Sequence, residues 1–327
     1  MATRRTHLAA VGDGDKADAV PERREPTTLA TLTSSGAVFV WAARVVWLVV
    51  AVLGGRAVGD ALAGRSRPVQ VTGTVAAWAG WGAAALTLAV TGELALTALR
   101  SLVPGALVVT VATVIGGATA SSVLALAAPA IVAVGLTCSA ELGRVYVQAS
   151  AYGDEQRFGL RPPLGYLAAS VVSWLVMATA TVVAPLALAG RGWWLGGAAL
   201  LVAGAGAWLL PRRWHQLSRR WFVFVPAGAV VHDPVVLADT LMLVRATVRS
   251  IGLDTDGSGR RRAADLSGPT PGVGLEVHLT TATTAVFAAT PRQPTGRTIH
   301  LTALVVTPSR PGAALRAAGA RGLPVAG

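Results

Sequence analysis

The 327-residue chain predicts an α-helical integral membrane protein of six transmembrane helices with a C-terminal domain that is mainly β with one helix. Three observations carry this. Residues 37–210 form a nearly unbroken apolar block, whereas about a hundred polar residues follow it. The chain is 53% hydrophobic and only 13% charged, where a soluble chain carries about 25% charged residues. Beyond residue 220 the apolar pattern changes from long runs to period-two alternation, the mark of half-buried strands.

The first 36 residues are polar, with five Lys/Arg (Arg4, Arg5, Lys16, Arg23, Arg24) and five acids (Asp13, Asp15, Asp18, Glu22, Glu25). This mixture is too long and too acidic for a signal-peptide leader and reads as a disordered cytoplasmic tail over 1–36.

A spanning helix needs about 20 mainly apolar residues. Four segments meet this simply: Ala37–Leu53, Val75–Leu96, Leu164–Leu188 and Trp193–Leu210. Ser101–Cys138 is too long for one span and suffices for two of about 18 residues. Its centre, Gly116-Gly117-Ala118-Thr119-Ala120-Ser121-Ser122, suits a tight turn. A helical hairpin there gives six spans in a 37–210 transmembrane domain.

Charge placement agrees. With the N-terminus inside, the inner segments carry thirteen Lys/Arg, including Arg100, Arg144, Arg157, Arg161, Arg212, Arg213, Arg219 and Arg220. The outer segments carry four: Arg56, Arg65, Arg67 and Arg191. This obeys the positive-inside rule and predicts a bacterial inner-membrane protein with both termini cytoplasmic. Trp193 and Trp194 are expected at the outer interface, and Trp208, Trp214 and Trp221 at the inner one. Small residues four apart, Ala199/Ala203/Ala207 and Gly80/Ala84, allow close helix approach. The basic charge, +12 from 27 arginines and one lysine, belongs to helix orientation rather than nucleic acid, because many arginines flank apolar runs. The single cysteine, Cys138, excludes an intrachain disulfide and reads as a small buried packing residue.

Two charges interrupt the apolar block. Arg44 and Glu93 lie at similar depth, and a charge in hydrocarbon costs roughly 2.5–3.5 kcal/mol even on the lenient scale. They are expected to form an intramembrane polar pair, either as part of a transport route or as a packing device with a snorkelling arginine. The loop 141–163 reads as solvated, and Glu141/Arg144 as an interfacial helix pair.

Residues 211–220, Pro-Arg-Arg-Trp-His-Gln-Leu-Ser-Arg-Arg, form a basic aromatic collar. Arg212, Arg213, Arg219 and Arg220 are expected at an anionic bilayer surface. From 221 to 327 the pattern predicts strands at Trp221–Val225, Val230–His232, Thr240–Ile251, Leu275–Leu279, Thr283–Ala289 and Ile299–Val306, with a helix over Gly312–Ala320.

This order resembles the small bacterial PH-like barrel, a curved antiparallel sheet closed by a C-terminal helix. The stretches Arg220-Trp-Phe-Val-Phe-Val-Pro-Ala-Gly-Ala-Val-Val-His-Asp233 and Val305-Val-Thr-Pro-Ser-Arg-Pro-Gly312 resemble actinobacterial multi-pass membrane proteins. The resemblance implies binding to proteins or lipids and supplies no catalytic residue.

Asp254-Thr-Asp-Gly-Ser-Gly259 begins like a calcium loop, but Arg260, Arg261 and Arg262 follow and repel a cation. These three arginines are expected to face anionic lipid or solvent. The five histidines lack metal-ligand spacing, although His278 and His300 are candidates to face each other on paired strands. No GxSxG, Walker A or HExxH motif occurs. No metal, cofactor or nucleic acid is therefore expected. The sequence favours a non-enzymatic membrane protein whose PH-like domain binds a protein partner or the anionic lipid surface. The alternatives are a transporter or channel with a polar route through Arg44 and Glu93, and a membrane-embedded lipid-modifying enzyme.

Overall fold

The structure is a computed structural model that describes residues 27–289 and 294–326, with side chains from residue 36 onward. Most of the predicted N-terminal tail, 1–26, lies outside the described residues. Helix α1 runs Thr27–Leu62, so its backbone starts ten residues before the apolar block. No glycine or proline interrupts 27–35. Then follow α2 (Arg67–Ala89), α3 (Glu93–Leu102), α4 (Gly105–Ile115), α5 (Ala120–Cys138), α6 (Ala140–Gln148), α7 (Leu164–Ala189) and α8 (Trp193–Ser218). Six stretches are long and apolar enough to cross a membrane, α3 and α4 counting together as Glu93–Ile115.

The overlong segment does break in two. α4 ends at Ile115, Gly117 takes φ +86°, and α5 begins at Ala120. Only glycine enters that conformation without penalty, and an added Cβ on Gly116 would collide with Ala61. The turn is tied by Ser122 and Thr119 hydroxyls donating to Asp60 (2.7 and 3.1 Å).

α1 is the centre of the bundle. Val40, Ala43, Trp47, Val50 and Ala57 are buried beside Ala84 and Leu88 of α2, Leu96 and Leu99 of α3, and Ala130 and Ala133 of α5. α7 and α8 form a second pair through Ala180, Ala184 and Ala199, with Ala203 partly buried. Here small residues set the approach, since a Cβ on Gly206 would strike Met177. Gly80 is exposed, so of the Gly80/Ala84 repeat only Ala84 is packed inside. Cys138 is exposed at the end of α5, not buried as expected.

The polar part holds two four-stranded sheets. The first is β1 (Gln156–Gly159), β2 (Trp221–Val225), β3 (Gly228–His232) and β4 (Leu241–Val244) in that order, all antiparallel. The second has the order β5 (Val248–Asp254), β7 (Gly274–Phe287), β8 (Arg297–Val306) and β6 (Ala264–Asp265). The expected strand Thr240–Ile251 is split by a 3₁₀ turn at Arg245–Thr247. That turn lets the chain leave one sheet and enter the other. Leu275, Val277 and Leu279 face inward as their alternation predicts. The two sheets and helix α10 (Pro311–Ala320) share one core, including Phe222, Phe224, Ile251, Val277, Leu304 and Ala314.

Two further boundaries differ from expectation. The collar 211–220 is mostly a continuation of α8, which runs through Pro211 to Ser218. The loop 141–163 contains helix α6 and supplies β1, so the strand-rich domain is not confined to 221–327.

Candidate functional site

The candidate site is the seam where the helices meet the first sheet. β2 alternates faces, as any strand must. Phe222 and Phe224 enter the domain core, whereas Trp221 and Val223 join the buried cluster of α1, α2, α3 and α6. Both faces are therefore apolar, and the run Trp-Phe-Val-Phe-Val has no polar position to spare. β1 covers the free edge of β2 with Phe158 opposite Phe222. The segment after it reaches the second sheet, with Arg161 N–H donating to Thr307 O and Ser309 N–H to Gly159 O.

Arg220 is the largest fully buried side chain. Its Nε and Nη2 donate to the two carboxylate oxygens of Asp233 (2.8 and 2.6 Å), and its Nη1 donates to Arg161 O (2.6 Å). The fork geometry suits this bidentate arrangement. Asp233 Oδ1 also accepts the Val235 N–H (3.1 Å), a turn contact to which aspartate is suited. Arg220 is thus an internal lock, not a membrane-surface residue.

Glu93 lies at the start of α3, not inside the second span, because α2 stops at Ala89. Its Oε1 accepts from Arg157 Nη1 (2.6 Å), and Arg219 Nε stands 4.0 Å from Oε2. Arg157 also donates to Glu155 (2.7 Å) and lies over the Trp221 ring at 4.6 Å. Arg44 turns elsewhere. Its Nε donates to Leu88 O (2.9 Å), and its guanidinium stacks on Trp41 at 4.8 Å. The expected Arg44–Glu93 pair is absent. Arg44 satisfies a carbonyl in the last turn of α2, where helix ends lack intrahelical donors and favour cations. Arg100 serves α5 alike, donating to Thr137 O and Ser139 O (3.3 and 3.5 Å).

Gln148 clamps β1 from α6, accepting the Arg157 N–H (3.0 Å) and donating to Glu155 O (2.7 Å). Burial opposes the Glu155 carboxylate, but the Tyr152 N–H and Arg157 outweigh it and hold its pKa below the usual range. Ion pairs Arg310–Glu141 and Arg321–Asp154 fasten the two ends of α10 to the same inter-helix segment. Beside the seam a cavity of about 600 Å³ is lined by Glu93, Ser150, His215 and Thr87. His215 Nδ1 lies 2.9 Å from the Thr97 hydroxyl.

His232 stacks on Trp221 (5.1 Å) and shares a hydrogen bond with Thr240 (3.0 Å). Burial, then Arg219, lower its pKa, with Asp233 opposing. His278 is opposite Ala303 and His300 opposite Thr284, so these two histidines do not face each other.

The remaining surface residues divide. Arg212 and Arg213 on α8 and Arg219 just beyond its end are exposed, Arg212 near Trp208 at 5.8 Å. Trp193, Trp194 and Trp208 are exposed, whereas Trp214 and Trp221 are buried inside the protein. Arg260 donates to Thr270 O and Gly272 O (2.7 and 2.9 Å), closing its own loop, and Arg262 donates to Ser258. Arg261 is exposed. In the calcium-like stretch, Asp254 accepts the Gly259 N–H (2.9 Å) and Asp256 that of Ser258 (3.0 Å). These carboxylates serve the turn into the short helix α9 (Gly259–Arg262). Among the described residues, no three His, Cys, Asp or Glu side chains form a metal-binding group.

Sequence reasoning missed Arg157, Asp233 as an ion-pair partner, and β1 itself. The one available signal was Phe158 and Leu160 at period two beside Arg157. The chain matches no protein-family model, no curated protein and no solved structure.

Proposed function

We propose that the chain is a non-enzymatic protein of the bacterial inner membrane. Its cytoplasmic PH-like domain holds a fixed binding surface for a protein partner. Arg212 and Arg213, exposed at the end of α8, meet anionic headgroups. One observation supports this most: the outer face of the second sheet is open and polar on a domain immobilised against the helices. Thr280, Thr284, Thr298, His300 and Thr302 are exposed there. A polar strand surface rich in threonine and histidine suits reversible recognition, and its rigidity lowers the ordering cost of binding.

The transport reading loses its main support, because Arg44 and Glu93 have separate partners. Two experiments test the proposal. Reporter fusions at Asp154, Arg191 and Gly327 are expected to report inside, outside and inside; an external Gly327 contradicts the orientation. Site-specific photocrosslinkers at Thr302 and His300 in cells are expected to give one discrete protein adduct, lost on Thr284→Arg. Adducts unaffected by Thr284→Arg, or none, would overturn the partner-binding role.

A further inference from the structure

A second cavity of about 600 Å³ opens between the sheet-bearing domain and the first two turns of α7. Tyr166 and Ala169 of α7 form one wall, and Phe287, Ile299 and Arg297 form the other. Tyr166 and Ala169 are exposed on a helix that is 26 residues long and apolar throughout. The crevice wall therefore continues directly into the lipid-facing surface of a candidate span. α7 starts at Leu164, so this wall lies at headgroup depth once the helix is inserted.

The far wall is charged. Arg297 is exposed, and its side chain has no ion pair or hydrogen bond among the described residues. The neighbouring loop is held at the base of α7, with Leu164 N–H donating to Pro269 O (3.2 Å) and Arg161 donating to Pro271 O (3.0 Å). Arg260 ties α9 to that loop through Thr270 O and Gly272 O. An apolar slot continuous with the bilayer and rimmed by the exposed Arg297 guanidinium matches an amphiphile with a negative head.

We infer that this crevice is a binding site for one anionic phospholipid, its phosphate at Arg297 and an acyl chain along Tyr166, Ala169, Phe287 and Ile299. The site does not depend on the protein partner proposed above. It needs only that α7 is inserted.

The test uses the full chain in detergent, titrated with dioleoyl phosphatidylglycerol or dioleoyl phosphatidylcholine and read by native mass spectrometry. One phosphatidylglycerol is expected to be retained in preference to phosphatidylcholine. Arg297→Gln should weaken that retention about fivefold, the worth of one arginine near an anionic surface. Arg297→Lys should keep most of it. Ala169→Trp, which fills the slot at an exposed position, should abolish the preference, while Arg213→Gln on α8 should not. Equal retention of the two lipids by the native chain, phosphatidylglycerol retention undiminished by Arg297→Gln, or a preference surviving Ala169→Trp, would overturn the assignment.

Discussion

The two sheets of the polar region have the same number of strands and different surroundings. The first is apolar on both faces: Phe222 and Phe224 pack into the domain core while Trp221 and Val223 pack among the helices. The second is apolar on one face only, with Leu275, Val277 and Leu279 inside and threonines and histidines outside. A sheet buried on both sides belongs to the body it is buried in. The first sheet is therefore structurally part of the helical bundle, and only the second has a face free for another molecule.

The largest expected effect removes the helices altogether. A 221–327 fragment keeps the second sheet but exposes Trp221 and Val223 and strips β1 from β2. It should show no cooperative thermal unfolding. A fragment that melts cooperatively as a monomer would erase the distinction between the sheets.

Within the full chain, Asp233→Ala leaves Arg220 buried and unpaired, at a cost of about 3–5 kcal/mol. Asp233→Leu with Arg220→Leu should cost less than the single change, because no lone charge remains. Trp221→Ala should cost a similar 3–5 kcal/mol through the cavity it opens. Thr302→Val on the free face should stay within about 0.5 kcal/mol. Thermal melts of the purified protein in one detergent give all four, and a Thr302 cost equal to that of Trp221 would contradict the comparison.

Glu93→Gln weakens the Arg157 contact at the seam, for about 1–3 kcal/mol. Arg44→Leu with Glu93→Leu should show the sum of the two single effects, since their partners are separate.

The smallest effect is a pH dependence. The folded pKa of His232 is lowered, so the unfolded chain binds the proton more readily. Its contribution is complete above the ordinary value of 6.5 and is lost as pH falls from there toward the lowered folded value. The melting temperature should drop on acidification over that window, and His232→Gln should flatten the slope.

The helical part was readable because length and hydropathy act locally. Gly116-Gly117 marks the hairpin by its own chemistry, and Leu275, Val277 and Leu279 declare a strand by spacing alone. What was hidden depends on contacts far apart in the chain. Glu93 looked intramembrane because apolar residues surround it in sequence. The break at Val90–Gly92 ends α2 early and places Glu93 beside Arg157, 64 residues away. Arg219 and Arg220 are indistinguishable as a basic pair, yet one is exposed and the other fully buried, since neighbouring residues at the start of a strand point oppositely. Trp221 reads as an interfacial aromatic until β1 and the helices are seen to cover it.

The claim that the inter-helix segment completes the first sheet is tested most directly by amide hydrogen exchange of the full chain in lipid nanodiscs. The amides of Gln156–Leu160 are expected to be protected to the same degree as those of Trp221–Val225, because both belong to one paired ladder. Exchange of 156–160 at the rate of a solvated loop, with 221–225 still protected, would contradict it.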